Sequence, residues 1–139
     1  MDESELRITV DSNPSPDDVL AVRRGLVGFN AKHSSIEDSR PLSVFLRNAE
    51  GKVVGGVIAW TWGYWLDIGY VWVDPALHRQ GFGTRLLRAA EEAALARGCR
   101  HAQLDTYSFQ APEFYAKQEY TVFGVLEDMP GGHQRYYLR

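Results

Sequence analysis

The stretch Val71-Trp72-Val73-Asp74-Pro75-Ala76-Leu77-His78-Arg79-Gln80-Gly81-Phe82-Gly83-Thr84 reads as strand, loop and helix start. The chemistry that such a segment can do is anion binding. A helix start presents amides without intrahelical partners and the positive end of the macrodipole, and glycine lets a phosphate approach the backbone closely. Arg79 and Arg85 add charge to this diphosphate cradle. Two familiar phosphate loops are excluded. A Walker loop needs Gly-Lys-Ser/Thr, whereas Gly83 is followed by Thr84-Arg85. A dinucleotide fingerprint needs a third glycine where Leu86 stands, and its glycines follow the strand more closely. Taken alone, Gly-x-Gly serves equally well as a plain helix-entry turn.

Other reactive side chains are scattered. His33, His101 and His133 are isolated in sequence and read as surface or loop residues, and Glu91-Glu92 reads as a solvated helix face. Cys99 is the single cysteine, so no internal disulfide forms, and no His/Cys cluster has zinc spacing; no metal is expected. Trp60, Trp62, Trp65 and Trp72 all fall within thirteen residues and form either the heaviest part of a core or a binding wall.

These residues need a frame, and 139 residues with 45% apolar content provide for a single domain, 1–139, that folds without staples. A net charge of −3 is a poor footprint for a nucleic-acid binder. The acidic start Met1-Asp2-Glu3-Ser4-Glu5 does not resemble a signal peptide, and the apolar run Val53–Trp62 is too short to span a bilayer as a helix. With one unpaired thiol, these features give the expectation of a cytoplasmic protein without a membrane partner.

Leu6–Val10 alternates as a short strand. Ser15 and Pro16 open a helix whose apolar residues Val19, Val22, Leu26 and Phe29 carry it to about Asn30. Residues 31–41 are a loop or a short second helix. Leu42–Leu46, Lys52–Trp62 and Tyr64–Val73 read as three successive antiparallel strands. Leu86, Leu87, Ala90 and Ala94 share one face of a helix that Arg97-Gly98 stops. A strand at 102–105, a short helix at 111–117 and two closing strands at 121–126 and 134–139 complete the order β-α-β-β-β-α-β-α-β-β.

The loop His78-Arg79-Gln80-Gly81-Phe82-Gly83 resembles motif A of the GNAT N-acetyltransferase superfamily, Gln/Arg-x-x-Gly-x-Gly/Ala, with His78 in the first position. Downstream, Ala111-Pro112-Glu113-Phe114-Tyr115-Ala116-Lys117-Gln118-Glu119-Tyr120 is similar to that family's Ala-x-x-x-Tyr-Glu-Lys-Leu-Gly-Phe segment. Glu119 replaces its glycine, and Ser108 stands where an asparagine is common. The resemblance covers about residues 53–123. It implies an α/β (α+β) fold, with a mixed central sheet of six to seven strands flanked by about four helices.

It also implies acetyl-CoA as donor and direct attack by an amine in a ternary complex. Val71 and Val73 occupy the positions that bond the pantetheine, and a strand amide, that of Val71, would polarise the thioester carbonyl. The pyrophosphate would meet the amides from Arg79 to Thr84, including those of Gln80, Gly81, Phe82 and Gly83. Tyr115 matches the general acid that protonates the leaving thiolate. Asp67, fourteen residues before Gly81, has a spacing similar to the catalytic glutamate of histone-type members. Set among Trp65, Leu66 and Ile68, it is a candidate base; Asp105 and a water wire are the alternatives. Strict alternation puts Asp67 on one face with Gly69, Val71 and Val73, and Trp72 on the other, packed in the core. The position of elements in the family assigns Phe29, Asn30, His33, Trp60 and Trp62 to the acceptor. A small-molecule amine is the leading acceptor; a protein lysine or N-terminus, a non-catalytic acyl-CoA sensor, and an interaction domain built on the aromatic segment are the competing readings. Homodimers are common in the family, so a homodimer is expected by resemblance alone.

Overall fold

A computed structural model describes residues 2–34 and 39–139. It divides into two compact units, Met1–Ser35 and Ile36–Arg139.

The first unit holds a short 3-10 turn, Glu3–Glu5, and helix α1, Pro16–His33. The Ser15 side chain accepts from the Asp18 N–H at 3.2 Å, Pro16 sits in the first turn, and Asp17 and Asp18 complement the positive helix end. The helix runs past Asn30 to His33, where the Ser34 N–H closes on the Asn30 carbonyl at 2.9 Å. Residues 6–10 do not form the expected strand. Alternation over five residues specifies a strand only where a neighbouring edge pairs with it. Of the segment expected as loop or second helix, 31–33 continue α1, and 35–38 lie outside the described residues.

The second unit is a sheet with two helices. Strands β1 (Arg40–Arg47), β2 (Val53–Trp62) and β3 (Trp65–Val73) form the expected antiparallel run. Asn48 Oδ1 accepts from the Glu50 and Lys52 N–H groups in the first turn, and Gly63 makes the second with φ of 57°. A 3-10 turn, Pro75–Leu77, leads into α2 (Phe82–Ala96). Then follow β4 (His101–Tyr107), α3 (Pro112–Lys117), β5 (Val122–Glu127) and β6 (Gln134–Leu138). The sheet order is β1-β2-β3-β4-β6-β5, with β3 and β4 parallel and every other pair antiparallel. Six strands agree with the expected mixed sheet; the helices among the described residues are three, not about four.

The core of this unit forms where α2 meets one sheet face. Leu86, Leu87, Ala90 and Ala94 recur at helical spacing and pack with Leu42, Val57, Ala59, Leu66, Ile68, Leu104 and Leu138. Each fully buried leucine is worth about 1.5–3 kcal/mol of transfer free energy.

One backbone feature overturns two face assignments. Ile58 pairs with Tyr70 but Ala59 pairs with Ile68, so Gly69 is an extra residue in β3. An inserted residue reverses the side-chain phase of the strand beyond it. Leu66 and Ile68 face the core before the bulge, and Val71 and Val73 pack against it after the bulge. Asp67 therefore shares its face with Trp65, Tyr70 and Trp72, not with Val71 and Val73. Trp72, expected in the core, is 53% exposed.

Candidate active site

β3 and β4 pair only from Trp65–His101 to Ile68–Leu104. Beyond that point β4 pairs with β6 alone, from Leu104 to Tyr107, and β3 with β2 alone. The two parallel strands thus part at the bulge and leave a gap in the middle of the sheet.

The ladder fixes what lines this gap. The Asp74 N–H donates to the Val54 carbonyl at 2.8 Å, so that pair is a hydrogen-bonded one. Antiparallel pairs alternate, which makes Gly56–Trp72 and Ile58–Tyr70 hydrogen-bonded and turns the peptide groups of Val71 and Val73 away from β2. The Val73 carbonyl is taken by Nε2 of His78 at 2.8 Å. His78, the first position of the motif that the resemblance places at the cofactor, ties the loop back onto the strand through its side chain.

The gap leads into the glycine loop. Arg79 and Gly81 have φ of 64° and 81°. In this left-handed region a Cβ is strained, so Gly81 suits the helix cap, and α2 begins there with no side-chain cap. The first bond of α2 runs from the Arg85 N–H to the Gly81 carbonyl at 3.1 Å, which leaves the N–H groups of Phe82, Gly83 and Thr84 without an intrahelical partner. A Cβ on Gly83 would stand 3.3 Å from the Phe114 ring, so glycine lets α3 pack against the first turn of α2. Gln118 Nε2 donates to Thr84 Oγ1 at 3.0 Å across the same joint.

This joint positions Tyr115. Its ring is half-buried and meets Phe114 and Tyr120 edge-on, at centroid distances of 5.1 and 6.2 Å. Burial pushes the Tyr115 phenol above its ordinary range, and the Asp105 charge adds to the shift. Tyr120 donates to Glu91 at 2.9 Å, so Glu91 anchors the end of α3 to α2 and is not simply a solvated residue. Burial, followed by that bond and the Glu91 charge, holds the Tyr120 phenol protonated.

Asp67 stands on the opposite sheet face from α2. Gln103 Nε2 donates to its Oδ1 at 2.7 Å. Loss of hydration raises the Asp67 carboxyl above the usual carboxylate range, the Gln103 bond opposes this, and Asp105 raises it further. Asp105, the alternative base, accepts from Arg135 Nε at 2.9 Å and so carries its own counterion. A pocket of about 610 Å³ lies beside Asp67, lined by Ser39, Trp60, Trp62, Trp65, Gln103, Phe123 and Arg139.

Trp60 and Trp62 thus share a face and a pocket, and the Trp60 ring lies over Gly69 so closely that a Cβ there would sit 2.7 Å from its Cζ3. Phe29, Asn30 and His33 lie on the last turns of α1 in the first unit, where the Phe29 and His33 rings stack at 4.1 Å. The Ser108 hydroxyl accepts from the Gln134 N–H at 3.0 Å and fastens the end of β4 to β6. Gln103, Phe123 and Arg139 were not singled out in the sequence. Their partners are set by strand register, and only Trp65, two residues from Asp67, carried a local signal. Among the described residues, no group of three or more His, Cys, Asp or Glu side chains could hold a metal, and no helix is long and apolar enough to cross a membrane.

A sheet parted beside a strand edge, continued by the amides that open α2, offers a site for an extended molecule with an anionic end. The chain belongs to the acetyltransferase (GNAT) family, whose model matches residues 8–120. It is 33% identical to the acetyltransferase Atu2258 of Agrobacterium fabrum over 85% of this chain and 86% of that one. It is 32% identical to the blasticidin-S acetyltransferase of Streptomyces morookaense, over 73% and 77%. The crystal structure of an acetyltransferase from Bacillus cereus superposes with a TM-score of 0.81 at 33% identity, covering 94% of this chain and 95% of that one. The chain is an acyltransferase, with the mixed α/β fold of that family.

Proposed function

We propose that this chain transfers the acetyl group of acetyl-CoA to a primary amine of a small molecule, by direct attack in a ternary complex. The observation that carries this reading is the gap beside Val71 and Val73, continuous with the unpaired amides of Phe82, Gly83 and Thr84 at the start of α2. The strand edge, at the Val71 peptide and the Val73 N–H, fits an amide-bearing arm, and the helix start fits a diphosphate. The blasticidin-S acetyltransferase among its relatives supports a small-molecule acceptor.

Bound acetyl-CoA supplies the thioester carbon that the amine attacks. Asp67 accepts a proton from the acceptor ammonium, and its raised pKa makes it a stronger base than a fully hydrated aspartate. The Val71 N–H donates to the carbonyl oxygen as charge gathers there. As the carbon–nitrogen bond forms and the carbon–sulfur bond breaks, Tyr115 gives its proton to the sulfur. Its raised pKa keeps that proton in place until the thiolate develops. The second proton of the acylated nitrogen passes through water to restore the Tyr115 phenol.

The test is thiol release from acetyl-CoA over polyamines, aminoglycosides, amino acids and peptides. Tyr115→Phe is expected to leave CoA binding nearly intact and to lower kcat by about 10²-fold or more. An unchanged kcat removes Tyr115 from the mechanism, and release with peptides alone would favour a protein acceptor.

A further inference from the structure

Strand register places a row of side chains across the sheet face that carries the pocket. Trp60 pairs with Asp67, and Asp67 with Gln103. Leu104 pairs with Leu138, which sets the next residue, Arg139, opposite Gln103. The Arg139 N–H donates to the Thr121 carbonyl at 3.0 Å, so its backbone continues the ladder. The row therefore reads Trp60, Asp67, Gln103, Arg139 over four strands. At the usual strand spacing, the Asp67 and Arg139 backbones stand about 10 Å apart.

The charges at the two ends of this interval are opposite, and neither is neutralised by a counterion. Asp67 spends one oxygen on neutral Gln103. The Arg139 guanidinium lies over the Phe123 ring, 5.3 Å from its centroid, and has no carboxylate partner among the described residues. Arg135, on the same face of β6, is by contrast held by Asp105. Between and beside the two charges the walls are flat and aromatic: Trp60, Trp65 and Phe123. Aromatic faces favour planar or cationic groups, and a guanidinium fits a carboxylate in two bonds.

We propose that the acceptor is a flat-bodied zwitterion: a primary ammonium at Asp67, a planar ring against the tryptophans, and an anionic group, a carboxylate or phosphate, at Arg139. This rests on the acetyl transfer proposed above and narrows its acceptor. Asp67 then serves both to receive the ammonium and to deprotonate it, while Arg139 is a specificity residue remote from the reacting atoms.

The experiment compares 4-(aminomethyl)benzoate, its neutral amide 4-(aminomethyl)benzamide, and spermidine as acceptors, by thiol release. The carboxylate is expected to exceed the amide in kcat/KM by about tenfold or more, as a charge-assisted pair provides. Arg139→Gln is expected to bring that ratio close to one, and Arg139→Lys to keep most of it. A ratio near one in the unaltered chain, a ratio unmoved by Arg139→Gln, or a preference for spermidine overturns the proposal while leaving acetyl transfer in place. Tryptophan fluorescence titrations with the same compounds separate the two readings. If no amine releases thiol but 4-(aminomethyl)benzoate quenches the fluorescence, and does so only with Arg139 present, the pocket reading stands and the transfer reading falls. Absence of both signals overturns both.

Discussion

Asp67 and Tyr115 respond to one common charge. Asp105 raises the proton affinity of both, on top of the larger effect of burial. A base acts in its ionised form, so a raised Asp67 pKa moves the acidic limb of kcat/KM above the ordinary carboxylate range. Asp105→Asn takes away the neighbouring negative charge and frees the Arg135 guanidinium that it held at 2.9 Å. Both changes favour ionised Asp67, so the acidic limb is expected to shift to lower pH. A pH–rate profile under saturating acetyl-CoA checks this, and an upward or absent shift would falsify the assignment of Asp67 as base. At this scale the side-chain type was legible in the sequence, but the neighbours that tune it were not. Gln103 and Asp105 lie on a strand whose register against β3 no local pattern encodes.

At the scale of elements, the bulge at Gly69 does most to set the site. It turns Val71 and Val73 toward the core side, keeps Asp67 and Trp72 on the other side, and coincides with the parting of β3 from β4. Gly69 also makes room for the Trp60 ring, since an added Cβ would lie 2.7 Å from Trp60 Cζ3 and 3.3 Å from the Ile58 carbonyl oxygen. Gly69→Ala is therefore expected to displace the ring and to raise the acceptor KM several-fold while leaving the KM for acetyl-CoA little changed. Steady-state kinetics with each substrate varied in turn distinguishes this from a general loss of fold. Strand type was readable from β-branched and aromatic content. The bulge was not, because alternation assumes an unbroken ladder, and glycine in a strand signals a bulge only as one of several roles.

Over the whole of the second unit, stability is concentrated where α2 meets the sheet. Leu87 is fully buried and Trp72 is half-exposed. Leu87→Ala is expected to cost about 2–5 kcal/mol, through lost burial and the cavity left behind. Trp72→Ala is expected to cost about 1–2 kcal/mol, since half of the ring is already in water. Urea denaturation of the two variants measures the difference, and the reverse ranking would mean that Trp72 is covered. The tryptophan run is thus not one feature. Trp60, Trp62 and Trp65 wall a pocket, and Trp72 lies on the same sheet face outside that lining.

The glycine loop, the helix after it, the antiparallel run and the Tyr115 helix were determined by sequence alone, because each rests on interactions within a few residues: caps, helical periodicity, turn glycines and a recurrent motif. Leu6–Val10 shows the limit, since its alternation had no ladder to confirm it. Only the tertiary structure decided which face Asp67 occupies, which glutamate is anchored, and that Gln103 and Arg139 stand in one row with it. The first depends on a bulge in the β2–β3 ladder, the second on the packing of Tyr120 against α2, and the third on register between strands far apart in sequence. One inserted residue in a ladder reverses every side chain beyond it, and composition carries no record of where that insertion falls.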